Sequence, residues 1–505
     1  VQEDGSLQKV IRVADSGVQE CFLITVDGGY SMACTQEHRV RVIDASGDYV
    51  WRRVKELQPT DCVALSSGWL KGRPEEAPSI SFRHHNNKKR FVPLFTTKEL
   101  AIFMGYMTGD GTVSSRYFGW VVCDKDPDVD DFLRDKFSEV FGGHLSTSNY
   151  RGVIEHKVSS KPLVEWLVGV GLSKEIVPPF VWRCGKEVAG AWLSGLFEAD
   201  GCVTLGKTGR VSIASSRRRL MEDVQDLLLS LGVPSRLTSG KCSLKGKDGR
   251  DLYAWTVCVD AVGLQRFHDI VGFIGLRKRE RLDVLISSKT KTNPKSGGLP
   301  NQSEKVKALR LTGEVRRLLN NTMVRGTPIT PGIAKRVFKE SPETYEHLCL
   351  NRITDYEMLF LPVHSVKSVG MQKTYDLQVE STETFLANGF VTHNSQLELR
   401  LMAHRSQDAK MLEIYKTGGD IHQSTQDALG LGKKDRTVAK AANFGLIYGL
   451  SARGLKDNLW AQARLPKTLE ECQQWRYGFF KAYPGIKLYH EKIERFLIKY
   501  GYTMT

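Results

Sequence analysis

Two short motifs carry residues suited to phosphodiester chemistry. Gly105-Tyr106-Met107-Thr108-Gly109-Asp110-Gly111 and Leu193-Ser194-Gly195-Leu196-Phe197-Glu198-Ala199-Asp200-Gly201 each read as an apolar helix closed by Asp-Gly. A carboxylate at a helix C-terminus faces the negative end of the macrodipole, and two of them brought together are worse still. A divalent cation removes that conflict. Mg²⁺ held by one or two carboxylates plus phosphate oxygens is also a common arrangement for phosphodiester cleavage. One Asp-Gly alone is an ordinary helix-ending turn. Two at matching places in a repeated region are a different matter. Gly105 with Gly109, and Gly195 with Ala199, put small residues four apart on one face, which lets two helices approach backbone to backbone.

A second constellation lies near the other end. Arg436, Lys440, Phe444 and Tyr448 are spaced by four and share one helix face. Two cations followed by two aromatics could hold a triphosphate and stack a base. The alternative is a solvated charged turn running into a buried aromatic end.

The elements that must position these residues differ along the chain. Residues 1–92 read as short strands of a compact β unit: Cys21–Val26 meets the hairpin signal Asp27-Gly28-Gly29, and alternation returns at Arg39–Ile43 and Tyr49–Trp51. A basic stretch, Arg83 to Arg90, reads as a linker or a phosphate-facing loop. Residues 93–285 are mixed α/β and nearly repeat themselves. Asp131–Phe137 leading to Gly143–Ser148 matches Asp223–Leu229 leading to Pro234–Ser239, and Gly169–Lys174 echoes Gly272–Lys278. A duplication of about 90 residues implies two similar lobes related by a pseudo-two-fold axis. Residues 286–355 read as a basic linker or an accessory DNA-binding segment, 356–394 return to strand texture, and 395–505 are helical.

Composition sets the frame. The 505 residues suffice for about three to five folding units. A net charge of +15, with a pI near 9.2, favours a polyanionic partner. The ten cysteines include no Cys-x-x-Cys, which argues against a zinc site and a disulfide framework and for a reducing cytoplasm. No apolar run of about 18 residues or more exists to span a membrane. The polar start, Val1-Gln2-Glu3-Asp4, reads as neither a signal peptide nor an initiator segment, so a fragment of a longer reading frame is expected.

The paired motifs resemble the LAGLIDADG homing endonucleases over residues 93–285. The resemblance implies metal binding by Asp110 and Asp200, with Mg²⁺ or Mn²⁺ as cofactor. It also implies a long double-stranded DNA site saddled by two β-sheets and a monomeric protein. Family members often use a lysine from each lobe, and the repeat offers Lys174 and Lys278 among many surface lysines.

The flanking β stretches look like an intein of the Hint fold into which that nuclease is inserted. The carrying residues are Thr35-Gln36-Glu37-His38, Tyr375–Glu380, and Phe385 through Val391-Thr392-His393-Asn394-Ser395. The resemblance assigns activation of the upstream scissile bond to Thr35 and His38, and an assisting acid to Asp376. Asn394 would cyclise onto its own carbonyl carbon, His393 would act as acid/base, and Ser395 would be the downstream nucleophile. Splicing needs no cofactor. Inteins begin with Cys or Ser and this chain begins with Val, so the first nucleophile is expected to be truncated or supplied in trans.

Beyond Asn394 the chain resembles family A DNA polymerases, through Ser395-Gln396-Leu397-Glu398-Leu399-Arg400 and the string from Arg436 to Gly449. The likeness puts Gln396 and Glu398 in the palm motif, with Glu398 as the gate against ribose. It puts His422, Arg436 and Lys440 on the incoming triphosphate, and Phe444 and Tyr448 on nucleotide and template. Primer-template DNA and dNTP are the implied partners, although both metal-binding palm carboxylates fall outside the chain and no polymerisation is expected from it alone. The expected architecture is therefore multidomain: an all-β Hint domain split by an α/β (α+β) two-lobed LAGLIDADG endonuclease, then a mainly α palm/fingers fragment. The expected setting is the cytoplasm of a bacterial or phage-infected cell. The rival reading is a degenerate intein whose nuclease lobe only binds DNA.

Overall fold

The computed structural model describes residues 1–2, 5–72, 92–143, 145–245, 251–289, 297–379, 384–393, 397–417, 421–432, 436–463 and 466–501. They form two compact units. The first holds Val1–Leu7, Val18–Thr374 and Thr384–His393, and the second holds Gln8–Gly17, Tyr375–Glu383 and Asn394–Thr505. The basic stretch Arg83–Arg90 lies outside the described residues.

The early strands are β1 (Val10–Val26), of which the part from Val18 belongs to the first unit, then β2 (Ser31–Thr35), β3 (Arg39–Ile43), β4 (Tyr49–Arg53) and β5 (Cys62–Leu65). The Asp27-Gly28-Gly29 signal is met by an antiparallel hairpin in which Cys21 pairs with Thr35 and Thr25 with Ser31. Gly28 and Gly29 both sit at positive φ, where glycine carries no Cβ penalty.

Two lobes follow with the same order of elements. The first runs α1 (Lys98–Asp110), β6 (Gly111–Val113), β7 (Tyr117–Cys123), α2 (Pro127–Phe141), β8 (Ser146–Tyr150), β9 (Val153–Ser159), α3 (Lys161–Val170) and α4 (Pro179–Arg183). The second runs α5 (Lys186–Asp200), β10 (Gly201–Thr204), β11 (Arg210–Ser215), α6 (Arg218–Ser230), β12 (Ser235–Lys245), β13 (Asp251–Val259), α7 (Leu264–Ile270) and α8 (Leu276–Lys289). Each lobe builds a four-stranded sheet in equivalent order, β6-β7-β9-β8 and β10-β11-β13-β12. The repeat in sequence is thus a repeat in topology. The two lobes share one apolar core, which includes Phe103, Trp120 and Phe137 from the first and Trp192, Phe197 and Phe267 from the second.

The chain then forms α9 (Ser303–Ala308), α10 (Gly313–Arg325), α11 (Pro331–Glu340), α12 (Pro342–His347) and α13 (Asn351–Thr354) before returning to strands. These are β14 (Leu359–Val379), β15 (Thr384–Ala387) and β16 (Phe390–His393). Among the described residues they join the early strands in one sheet, ordered β15-β16-β3-β5-β14-β1-β2 with β4 on β3. Period-two patterning explains why both faces of that sheet are buried. Ile43, Cys62, Ala64, Phe360 and Val391 point to one core, shared with Leu319, Val337 and Leu350 of the helical segment and its turns. Val42, Val63, Leu65, Leu359 and Phe390 alternate with them and point to the other. The linker half of the expectation for 286–355 therefore fails over 303–354. These helices bury apolar side chains against the sheet, which a solvated linker does not do.

The second unit contains α14 (Leu397–Ser406), α15 (Ala409–Thr417), α16 (Ile421–Ala428), α17 (Arg436–Ile447), α18 (Ala452–Ala463), α19 (Leu469–Ala482) and α20 (Pro484–Tyr500). Its core gathers Leu399, Met411, Ile421, Leu446, Leu459, Phe479 and Ile486. Among the described residues no helix is long and apolar enough to cross a membrane.

Candidate functional site

Helices α1 and α5 lie against each other along their small faces. A Cβ on Gly105 would stand 1.9 Å from the carbonyl oxygen of Trp192, and one on Gly195 would stand 2.0 Å from that of Ile102. At the helix ends a Cβ on Gly109 would meet the Ala199 methyl at 2.5 Å. The contact is therefore backbone on backbone and reciprocal, as a pseudo-two-fold axis requires. Thr97 starts α1, its Oγ1 accepting from the Leu100 amide at 3.3 Å. Gly111 and Gly201 end the two helices with φ of −85° and −81°, sending the chain directly into β6 and β10. Their lack of a side chain matters here: a Cβ would come within 2.3 Å of the Met107 carbonyl or 2.5 Å of the Phe197 carbonyl.

This packing brings Asp110 and Asp200 to one place. A Cβ on Gly109, the residue before Asp110, would lie 3.1 Å from Asp200 Oδ2. Desolvation by the packed helix ends raises the pKa of Asp110, opposed by Lys174 and Lys278. Desolvation also raises that of Asp200; the Asp110 charge adds to the rise and the same two lysines oppose it. Both lysines reach the helix ends. Lys174 Nζ donates to the Gly109 carbonyl at 2.7 Å. Lys278 Nζ donates to the Phe197 carbonyl at 3.3 Å and to that of Glu198. Each cation thus meets the negative end of one helix while facing both carboxylates.

Two carboxylates with raised pKa, held together by rigid helices, make a donor set that a divalent cation would relieve, so the residues fit such an ion. Among the described residues no group of three or more His, Cys, Asp and Glu side chains is gathered as a metal cluster. Asp110 and Asp200 would be the protein ligands, and water or phosphate oxygens would complete the shell.

Sequence reasoning overlooked Glu198. It is 5% exposed, it accepts from the Ile274 and Gly275 amides at 2.7 and 2.9 Å, and it pairs with Lys278 at 3.5 Å. Glu198 therefore anchors the turn that delivers Lys278. Its signal was an acidic residue two places before Asp200, inside a run that is otherwise apolar.

The residues of the β sheet fall as follows. Thr35 ends β2 and His38 precedes β3, with the His38 amide donating to the Thr35 carbonyl at 3.1 Å. Thr392 pairs with Val40, so the ends of β16 and β3 that carry His393 and His38 are neighbours in the sheet. The His393 ring meets that of Trp51 edge-to-face, with centroids 5.1 Å apart. Asp376, near the end of β14, accepts from Ser16 Oγ at 3.0 Å. Asn394, Ser395 and Gln396 lie outside the described residues.

In the second unit, Glu398 lies on α14, and Arg436, Lys440 and Phe444 lie on α17 as the spacing implied. Tyr448 follows α17 directly and is exposed. His422, expected to face a triphosphate, is fully buried on α16, with Nδ1 2.8 Å from Asn443 Nδ2. Asn443 Oδ1 in turn accepts from Thr425 Oγ1 at 2.8 Å.

Known proteins resemble this chain in separate stretches. The DNA polymerase family A profile matches residues 380–505, and the LAGLIDADG-like domain profile matches residues 187–272. The replicative DNA helicase DnaB of Rhodothermus marinus is 26% identical over 417 residues, covering 77% of this chain and 41% of the helicase. DNA polymerase I of Aquifex aeolicus is 37% identical over 131 residues, covering 25% of this chain and 22% of the polymerase. The chain thus spans less than half the length of either relative. Among solved structures, the homing endonuclease I-DmoI in complex with DNA and Mn aligns over 35% of this chain and 97% of its own. That alignment has 16% identity and a TM-score of 0.27. By the two profile matches, the chain carries a LAGLIDADG-like domain and, after it, a family A DNA polymerase segment.

Proposed function

We propose that the chain is an intein-bearing piece of a family A DNA polymerase whose inserted LAGLIDADG domain is a homing endonuclease. The observation that carries this reading is the reciprocal packing of α1 on α5, which gathers Asp110 and Asp200 at the helix ends of two lobes with equivalent sheets. In this reading Asp110 and Asp200 would hold divalent cations, which when bound would supply Lewis acidity to phosphodiester hydrolysis of double-stranded DNA. Lys174 and Lys278 hold positive charge beside the site, where phosphate charge develops. The duplicated lobes match the two strands of a long duplex site, each aspartate serving one cut.

The single sheet built by strands from both sides of the nuclease supports the splicing half. There the side-chain amide nitrogen of Asn394 attacks its own carbonyl carbon. A succinimide forms, the bond to Ser395 breaks, and the Ser395 nitrogen leaves with a proton supplied through His393. The two sets of relatives point the same way. A match covering 77% of the chain lies mostly outside residues 380–505, so the greater part of the chain resembles a protein with a different name from its polymerase segment. That is the pattern of an element carried by unrelated hosts.

The test is cleavage, with Mg²⁺, of duplex DNA that encodes the uninterrupted polymerase motif. A double-strand cut near the Ser395 codon, lost in Asp110→Asn and in Asp200→Asn, is expected. Binding without cutting would reduce the domain to DNA recognition.

A further inference from the structure

Resting on the splicing reading, we infer that Trp51 is a positioning residue for His393, held in place by a ladder of alternating cations and aromatic rings. Arg41 and Trp51 face each other across the β3–β4 pair, as Ile43 and Tyr49 do two residues further on. The Arg41 guanidinium lies 4.1 Å from the Trp51 ring centroid and 4.9 Å from that of Tyr49. Arg352, from α13, lies 4.2 Å from the Tyr49 ring. Trp51 then meets the His393 imidazole at 5.1 Å and 79°. The order along the ladder is Arg352, Tyr49, Arg41, Trp51, His393.

The physical case rests on what an acid/base imidazole needs. His393 is the last residue of β16, and its ring orientation is set by χ2, a broad and soft torsion. A single peptide bond is the target, so a ring facing the wrong way is inactive. An edge-to-face contact with a large rigid indole selects one ring plane. The indole is itself fixed by the guanidinium on its face, and that guanidinium by Tyr49. Arg352 gives the helical segment a part in this: α13 closes the far end of the ladder. Nothing in the motif His393-Asn394-Ser395 announces it, because Arg41, Tyr49 and Trp51 lie more than 300 positions away.

The experiment uses the full chain and follows release of the Ser395–Thr505 segment with time. The variants are Trp51→Ala, Trp51→Phe and Arg41→Met, with Asn394→Ala as the chemical control. Thermal melting of each variant reports folding. Trp51→Ala is expected to slow release by about 10- to 100-fold, the scale of a misaimed catalytic group, and Trp51→Phe to recover to within about 3-fold. Arg41→Met should fall between them. The ring-proton resonances of His393, assigned with His393→Gln, should lose their ring-current shift in Trp51→Ala and keep most of it in Trp51→Phe. Release at the parental rate in a folded Trp51→Ala variant overturns the positioning role and leaves the splicing reading standing. A folded Trp51→Phe variant as slow as Trp51→Ala overturns it too. If the parent chain and Asn394→Ala release the segment equally, the splicing reading itself fails, and the role of Trp51 with it.

Discussion

Gly105 meets Trp192 so closely that a Cβ would stand 1.9 Å from the tryptophan's carbonyl oxygen, well inside any real contact distance. The clash is with backbone, so no side chain can swing away. Gly105→Ala and Gly195→Ala must therefore push α1 and α5 apart. Each is expected to cost about 1–3 kcal/mol or more, and to abolish DNA cleavage by separating Asp110 from Asp200. Gly169, inside α3 with open space around it, is the control. Gly169→Ala should be neutral or stabilising, by up to about 1 kcal/mol, because alanine favours the helix. Thermal melts of the three variants decide the matter.

The carboxylates at the paired helix ends should make the fold sensitive to pH and to metal. Their raised pKa means that the folded state holds protons the unfolded chain has released. The stability contribution is thus fully present below the unfolded pKa and is lost as pH rises through the folded one. Without divalent cation, Asp110→Asn and Asp200→Asn are expected to raise the melting temperature at neutral pH, while eliminating cleavage. Mg²⁺ should stabilise the parent through preferential binding to the folded state, and leave either variant unmoved. A parental melt indifferent to Mg²⁺ would argue against a cation at this place.

Asp226, on α6, has the largest expected pH effect. Burial, with help from Asp223 and Glu222 and against Arg219, pushes its pKa up to about 8. Stability is accordingly lost between the unfolded carboxylate range and pH 8, then levels off. Asp226→Asn should be close to neutral at pH 4. At pH 8 it should stabilise by an amount on the order of a few kcal/mol, read from urea titrations at the two pH values.

Asn394→Ala should leave the fold intact and abolish release of the Ser395–Thr505 segment, since alanine has no amide nitrogen to attack the carbonyl carbon. Gel analysis of the purified chain over time is sufficient. Continued release by the variant would mean that the bond breaks by another route.

The duplicated lobes were legible because two periodicities coincide: small residues four apart in α1 and α5, and a repeated helix-to-strand order around them. The turn Asp27-Gly28-Gly29 was legible for the same local reason. Long-range facts were not. Glu198 sits in an apolar run that reads as helix core, and only the fold shows the Ile274 and Gly275 amides that satisfy it. The helices from Ser303 to Thr354 read as basic and solvated because their apolar positions are sparse and broken among short elements. The sheet surface that buries Leu319, Val337 and Leu350 is supplied by strands distant in sequence. His422 is a further case: its expected role followed a family position, while its burial and its contact with Asn443 Nδ2 appear only in the fold.

Leu229, at the end of α6 in the second lobe, lies in the core of the sheet formed by β1–β5 and β14–β16, beside Ile24, Val63 and Phe390. It packs under the turn at Gly389, where a Cβ would meet its Cδ2 at 2.7 Å, and the Ser66 amide donates to the Gly389 carbonyl at 2.8 Å. Leu229→Ala should cost about 2–5 kcal/mol and slow release of the downstream segment as well. The sheet has thus made part of the second lobe its own interior, and this constrains how such an element can age. On the proposed reading, substitutions at Asp110 or Asp200 would silence cleavage without disturbing the sheet, whereas deleting the lobe would leave a hole where Leu229 stood. Lineages that lose the activity are expected to keep the domain, with its aspartates replaced and its leucine in place.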